Sequence, residues 1–572
     1  MTSSTTRAPT LLAYLALLGL VSGCAAGAPL AQSETNQART LTPKRIVAAV
    51  ASNPVAVTRQ IAGIPPGADV IEELVNAGLA NVDNGGVLRP QLAVEIPTLD
   101  NGDWRLLPDS RMEMTWHIKP AAAWSDGIPF TSDDLLFTAV VNRDPEIDMG
   151  KTATWGSVEN LEAPDAQTIV ITWNRVFFAA DLLFTTYSQS RAMPMPKHLL
   201  EPTYRDNKEG FLRLPYWTSE HTGTGAFRIT QWKEGSGAVM AANDRYIFGR
   251  PKIDEIEVRF IENLNSMMVN LLAGEIEIVL GRGLSLDQGV QVRDQWRDGR
   301  LDLGFVSLVA VYPQHLDPTP AIVANAQFKR ALLTALDRQA MVESIVYDLE
   351  PVADSFFEPH RPEYPFIANS VVKYPYEPRR AEQMIAELGY KRGTDGFFEA
   401  APGQRLSIEV ATGLGGEARE KSVLAIADYW QRVGVATSPA MLTQQEDRDR
   451  NYRAGGQQAF YVVRGPTDFE TLAKFHSKKI PLPENRFTGG NLARYGNPQF
   501  DALLDRFEVT IRKPERMQVL AQIVDHMTSQ VVVMGLFHDA DVVPISKRLQ
   551  KAEAQKGIGA TTAWNVQEWD LE

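Results

Sequence analysis

Strand and helix signals alternate along the whole length of this chain, and no other feature narrows its possible folds as much. Met112, Met114, Trp116 and Ile118 interleave with Glu113, Thr115 and His117, the period-two pattern of a half-buried strand with His117 on the wet face. Ile256, Val258 and Phe260 repeat it. Ala381, Met384, Ile385 and Leu388 fall at helical spacing, with Gly389 as the stop. Val423, Ile426, Ala427 and Trp430 do the same before Gly434, and Met517, Leu520, Val524 and Met527 give a third amphipathic helix. The reading is a mixed α/β fold. With 572 residues there is enough chain for two or three lobes. Apolar residues make up 44% and charged residues 22%, which suits a globular protein, and the net charge of −13 argues against a nucleic-acid partner.

The N-terminus is built differently. One cation, Arg7, precedes an apolar run from Leu11 to Leu20, and the small residues Ser22 and Gly23 lead to Cys24, the single cysteine of the chain. A positive start, a short apolar stretch and small residues make a secretory signal over 1–23. The run is shorter than the roughly 20 residues needed to span a bilayer. Val21-Ser22-Gly23-Cys24 resembles the bacterial lipobox, which implies a diacylglycerol on the Cys24 thiol, cleavage before it and acylation of the new amino group. Two or more acyl chains anchor stably. Residues 24–43, small and polar, read as a lipidated flexible tether. The expected place is the periplasm or cell envelope, at the outer face of a membrane, touching it only through the lipid.

Catalytic motifs are weak. Ala411–Glu420 is a glycine-rich turn after a strand, but Gly413, Gly415 and Gly416 do not have dinucleotide spacing and no Lys-Ser/Thr pair follows. Gly223–Phe227 fails on the same grounds. The eight histidines include no zinc-hydrolase pair, and there is no G-x-S-x-G elbow. His526 and His538 flank an apolar run and read as structural. We therefore expect no catalytic residues, no metal and no cofactor.

Seven segments carry a resemblance. Met114–Thr138 holds a strand, a Trp-Ser-Asp-Gly turn at 124–127 and a Thr131-x-x-Asp134 helix start. Gly223–Trp232, Asn243–Ile261, Leu271–Ile278, Phe328–Val342, Tyr376–Tyr390 and Gly489–Leu504 follow in order. Together they resemble the family 5 extracellular solute-binding proteins, the receptors of peptide-type ABC importers. The resemblance implies a fold of the type II periplasmic-binding-protein kind, with two large lobes, an inserted third lobe and a ligand cleft between lobes. It places lobe I at 44–87, 221–303 and 531–572, the inserted lobe at 88–220 and the second large lobe at 304–530. Crossing strands near Phe305–Tyr312 and Val531–Phe537 would form the hinge. The implied partners are a small-molecule or peptide ligand and the permease subunits, with the receptor itself a monomer.

Two departures matter. The family's Tyr-Glu-Gly-Leu stands here as Ile71-Glu72-Glu73-Leu74. The aspartate that holds a peptide's amino terminus is missing near Gly465, with Arg464 beside it and Asp468 three residues on. Arg464 either pairs with an acid between the lobes or grips a ligand carboxylate or phosphate with its planar fork. Asp468 could restore the amine contact, and Asn491 and Tyr495 would add hydrogen bonds. The expected function is capture of a small solute, a short peptide, for an ABC importer. A lipid-anchored receptor that imports nothing is the alternative, and a secreted hydrolase is the third reading.

Overall fold

The computed structural model describes residues 43–572, apart from 64, 151–152, 188–191, 451 and 453–458. The signal over 1–23, Cys24 and the tether as far as Thr42 lie outside the described residues.

One sheet of ten strands runs through most of the described chain. Its strands are β1 (Arg45–Val50), β2 (Phe227–Lys233), β3 (Gly237–Ala242), β4 (Glu255–Phe260), β5 (Ile278–Val279), β6 (Gly299–Pro313), β7 (Ser407–Gly413), β8 (Ala436–Leu442), β9 (Phe460–Pro466) and β10 (Met534–Ser546). They are ordered β8-β7-β9-β6-β10-β5-β1-β4-β3-β2. β1 lies parallel to β4 and β5, and β7 lies parallel to β8 and β9. The two parallel patches are joined by the long antiparallel pair β6–β10, paired from Gly299↔Ser546 to Val311↔Met534 with register shifts between Phe305 and Ser307 and between Val309 and Ala310.

The resemblance implies a crossing strand near Val531–Phe537. The strand instead begins at Met534 and runs to Ser546, buried at every residue except the half-buried Gly535. His538, Asp539 and Asp541 break the apolar run, yet they belong to the strand: ion pairs to Arg464 satisfy the two aspartates, and His538 keeps a backbone bond to the Pro351 carbonyl while its ring is buried, with Nδ1 unpartnered among the described residues. A buried strand can carry charged groups when they are paired, so it does not require an unbroken apolar sequence.

A second sheet of four antiparallel strands lies in the segment expected to be inserted: Trp104–Leu106, Met112–His117, Thr168–Trp173 and Val158–Asp165, in that spatial order. Met112, Met114 and Trp116 are fully buried and His117 is exposed, as their alternation predicts. The Trp-Ser-Asp-Gly block is a tight turn with Gly127 at φ 96°, left-handed backbone that suits glycine. It leads into the helix Ser132–Arg143. The Asp134 carboxylate accepts from the Thr131 N–H at 2.9 Å and from the indole of buried Trp124 at 3.3 Å, so it fixes helix start and turn together.

The three helices read from periodicity are Pro378–Glu387, Glu417–Arg432 and Lys513–Ser529. Each buries its apolar stripe, with Ala381 and Ile385, then Val423, Ile426 and Trp430, then Leu520 and Val524 all at most 1% exposed. The segment expected to be inserted contacts the stretch 469–516 through Phe178. Its ring meets those of Phe469 and Phe507 at 5.6 and 5.1 Å, and the Arg516 guanidinium lies 4.8 Å from its centre. The Phe178 N–H donates to the Glu508 carbonyl at 3.0 Å, and Arg175 pairs with Glu508 at 3.0 Å.

Candidate ligand-binding site

Loops at the carboxyl ends of parallel strands leave a crevice where α/β sheets hold ligands. Here two such sets of ends meet head on. β5 runs antiparallel to β10, pairing Ile278 with Ile545, and β9 runs antiparallel to β6, pairing Pro466 with Ser307. The register brings both carboxyl ends to one level, opposite residues 304–307 of β6 and 539–542 of β10. The chain leaving β5 touches β10 again at Leu284↔Val542, so Gly281-Arg282-Gly283 rides directly over this level.

A cluster of charges occupies it. Asp539 and Asp541 sit two residues apart and share one face of β10. The Arg464 fork reaches both: Nε donates to Asp539, and Nη2 donates to Asp541 at 3.1 Å. Burial alone would lower the Arg464 pKa, but the two acids outweigh it and the pKa rises. Burial raises the Asp541 carboxyl against the pull of Arg464. Glu350 is 3% exposed, and its Oε1 accepts the Ala540 N–H at 2.9 Å. Its other oxygen has no partner among the described residues. Burial first, and then the charge of Asp539, push Glu350 well above the usual carboxylate range, which keeps it protonated at neutral pH.

Arg282 completes the cluster. It makes no hydrogen bond or ion pair among the described residues. Its side chain is open to water, yet dense surroundings, and then the like charge of Arg464, lower its pKa. Gly281 and Gly67 hold the two loops at this level together, at φ 67° and 83°. A Cβ on Gly281 would stand 2.9 Å from the Gly67 nitrogen. The second loop opens the helix Ala68–Val75 and brings in Asp69, half-buried and likewise raised by burial.

The residues singled out in the sequence separate. Arg464 is at this level, but its fork is committed to Asp539 and Asp541. Of its two readings, the pairing with acids is present in the structure. Asp468 is 3% exposed and caps the helix Phe469–Ala473, accepting the Thr471 N–H at 2.6 Å. Asn491 is also buried. Its amide donates to the Phe475 and Tyr495 carbonyls at 2.9 and 2.8 Å and accepts the Tyr495 N–H at 3.2 Å. Asn491 therefore holds its own loop. The Tyr495 hydroxyl bonds His526 Nε2 at 2.7 Å. His538 is buried, with its pKa pushed down to about 3 by desolvation. Sequence reasoning missed Arg282, Glu350, Asp539 and Asp541. The available signals were a Gly-Arg-Gly directly after an apolar strand and two acids at strand spacing inside a buried run. An open groove of about 620 Å³ lies over the helices Pro498–Val509 and Lys513–Ser529 and shares no lining residue with the cluster.

Residues 97–475 match the model of bacterial extracellular solute-binding proteins, family 5 Middle. The chain is 24% identical over 373 residues to the oligopeptide-binding protein AppA of Bacillus subtilis, covering 64% of this chain and 63% of that one. It is 22% identical over 485 residues to heme-binding protein A of Haemophilus influenzae, covering 80% and 82%. The oligopeptide-binding protein of Thermus thermophilus, solved with a pentapeptide, superposes with a TM-score of 0.65 at 22% identity, covering 92% of this chain and 96% of that one.

Proposed function

The chain belongs to the bacterial extracellular solute-binding proteins of family 5, and from that premise we propose that it is the substrate-binding component of an ABC importer. It captures a small solute, a short peptide, in the cleft, closes over it and hands it to a membrane permease. The observation that carries this reading is the head-on meeting of strand ends from two parallel patches over β6 and β10. This level is lined with charge, and among the described residues two long strands, β6 and β10, run across it and can bend.

We assign lobe I to 44–87, 221–303 and 531–572, the inserted lobe to 88–220 and the second large lobe to 304–530. The protein binds and does not transform its ligand. It works as a monomer in the periplasm, held to a membrane by lipid on Cys24. In this reading Arg464, with Asp539 and Asp541, braces the floor of the cleft, and Asp468 keeps a shape on which the floor rests.

The test is native mass spectrometry of protein purified without refolding, alone and after exposure to a mixture of two- to six-residue peptides. Capture of one or more small solutes at one per chain supports the proposal. A chain that stays at its bare mass under every condition would falsify it.

A further inference from the structure

Two adjacent phenylalanines pack into different cores. Phe177 lies against the core shared by β1, β4 and the four-stranded sheet, with its ring 6.2 Å from that of Trp173. Phe178 lies against the core around the helices Pro498–Val509 and Lys513–Ser529, and among the described residues of 88–220 it alone joins that core. The exchange is mutual. Ile511, in the short link between those two helices, packs against the first core. The seat for Phe178 is built without it. Phe469 and Phe507 meet ring to ring at 5.1 Å, and Arg516 Nη1 donates to the Thr510 and Ile511 carbonyls at 3.2 and 2.7 Å. Phe178 enters with its N–H on the Glu508 carbonyl and with Arg175 paired to the Glu508 carboxylate, each at 3.0 Å. Phe469 stands three residues past Pro466, the end of β9, so the seat lies on the side where the strand ends meet. The chain connects the two segments only by way of β6 and β10, and bending those strands to part the strand ends pulls the two knobs from their seats.

We propose that Phe178 and Ile511 form a latch that holds the two sides of the cleft together in the absence of solute, so that a captured solute completes a closure the protein's own contacts already favour. Both knobs remove apolar surface from water, and the Phe178 ring adds edge contacts to two aromatic rings and a guanidinium over its face. The latch is also able to open. The Phe178 ring is half-buried, and the Arg175–Glu508 pair is exposed enough for water to compete with it. A solute then needs a smaller differential affinity to carry the cleft fully shut than it would with no latch. The inference rests on the capture reading above and goes one step further, naming the contact that shares the work of closure.

The experiment reads the latch through its own hydrogen bond. Amide exchange at Phe178 is followed in the full chain, freed of solute by washing in urea below its unfolding midpoint, for wild type, Ile511→Ala and Arg175→Ala. The radius of gyration is measured on the same samples, and protected amides in β4 show that each variant is folded. Expected in wild type is a Phe178 N–H that exchanges at least tenfold more slowly than in Ile511→Ala, yet faster than the amides of β4. Ile511→Ala should have the larger radius, and Arg175→Ala should fall between the two. Three results overturn the inference: a Phe178 N–H that exchanges at the open-chain rate in wild type, one as slow as β4, which marks a permanent joint, or exchange and radius that neither variant moves. If Ile511→Ala loses the protection of β4, Arg175→Ala decides by the same readouts. The peptide mixture and native mass spectrometry decide capture separately. Wild type that captures a solute but fails the exchange test leaves capture standing without a latch, and wild type that passes it but captures nothing overturns the capture reading and, with it, the role given to the latch.

Discussion

At the scale of single residues, Glu73 shows what a departure from the family pattern costs. It stands where the family's motif has glycine, buried on the helix Ala68–Val75, and accepts a hydrogen bond from the Thr561 hydroxyl of the C-terminal tail. Burial outweighs that bond and pushes its carboxyl up to about 7, against an ordinary 4.5. The folded protein therefore holds this proton where the unfolded chain releases it. The stability from this group is complete below about pH 4.5 and is lost as pH rises to about 7, a difference of about 3 kcal/mol. Glu73→Gln should flatten the fall in urea midpoint between pH 5 and pH 7.5 relative to wild type; parallel curves would contradict this. Residue roles were the least legible part of the sequence. Arg464 stood out because an expected aspartate was missing beside it, but its partners lie 75 and 77 residues away. Asn491 could not be told from a ligand donor, because an amide bonds a carbonyl of its own loop as readily as one of a peptide. Arg282 carried only a pair of flanking glycines, and its significance is that it has no partner among the described residues, which a sequence does not express.

At the scale of elements, periodicity carried further. Met112 to His117 and Val423 to Trp430 were legible because one face of each meets a core and the other meets water. β10 was half legible, because buried polar residues inside a strand look like a strand's end. Contacts between elements were not legible. Phe178 lies in an irregular stretch of the inserted segment, yet it seats among Phe469, Phe507 and Arg516. Its ring is half-buried, so Phe178→Ala should cost about 1–3 kcal/mol, below the range for fully buried aromatic truncation. The measurable sign is a lower thermal midpoint. An unchanged midpoint would mean that the docking contributes nothing in solution.

At the scale of the whole molecule, two features await test, an anchor and a moving cleft. For the anchor, Cys24→Ser should shift the protein from the membrane pellet and the detergent phase to the soluble fraction. Retention in the detergent phase would rule out lipid on that thiol. For the cleft, the sheet is continuous through β6 and β10 alone at the crossing, so bending of these two strands is enough to part the strand ends that meet there. A ligand that holds both sides must favour the closed form by its extra contacts. The most direct measurement is small-angle X-ray scattering of the same sample, free and saturated with the tightest solute found by titration. Capture by closure predicts a smaller radius of gyration on saturation, restored when the solute is removed. A radius that stays the same at full occupancy would contradict it.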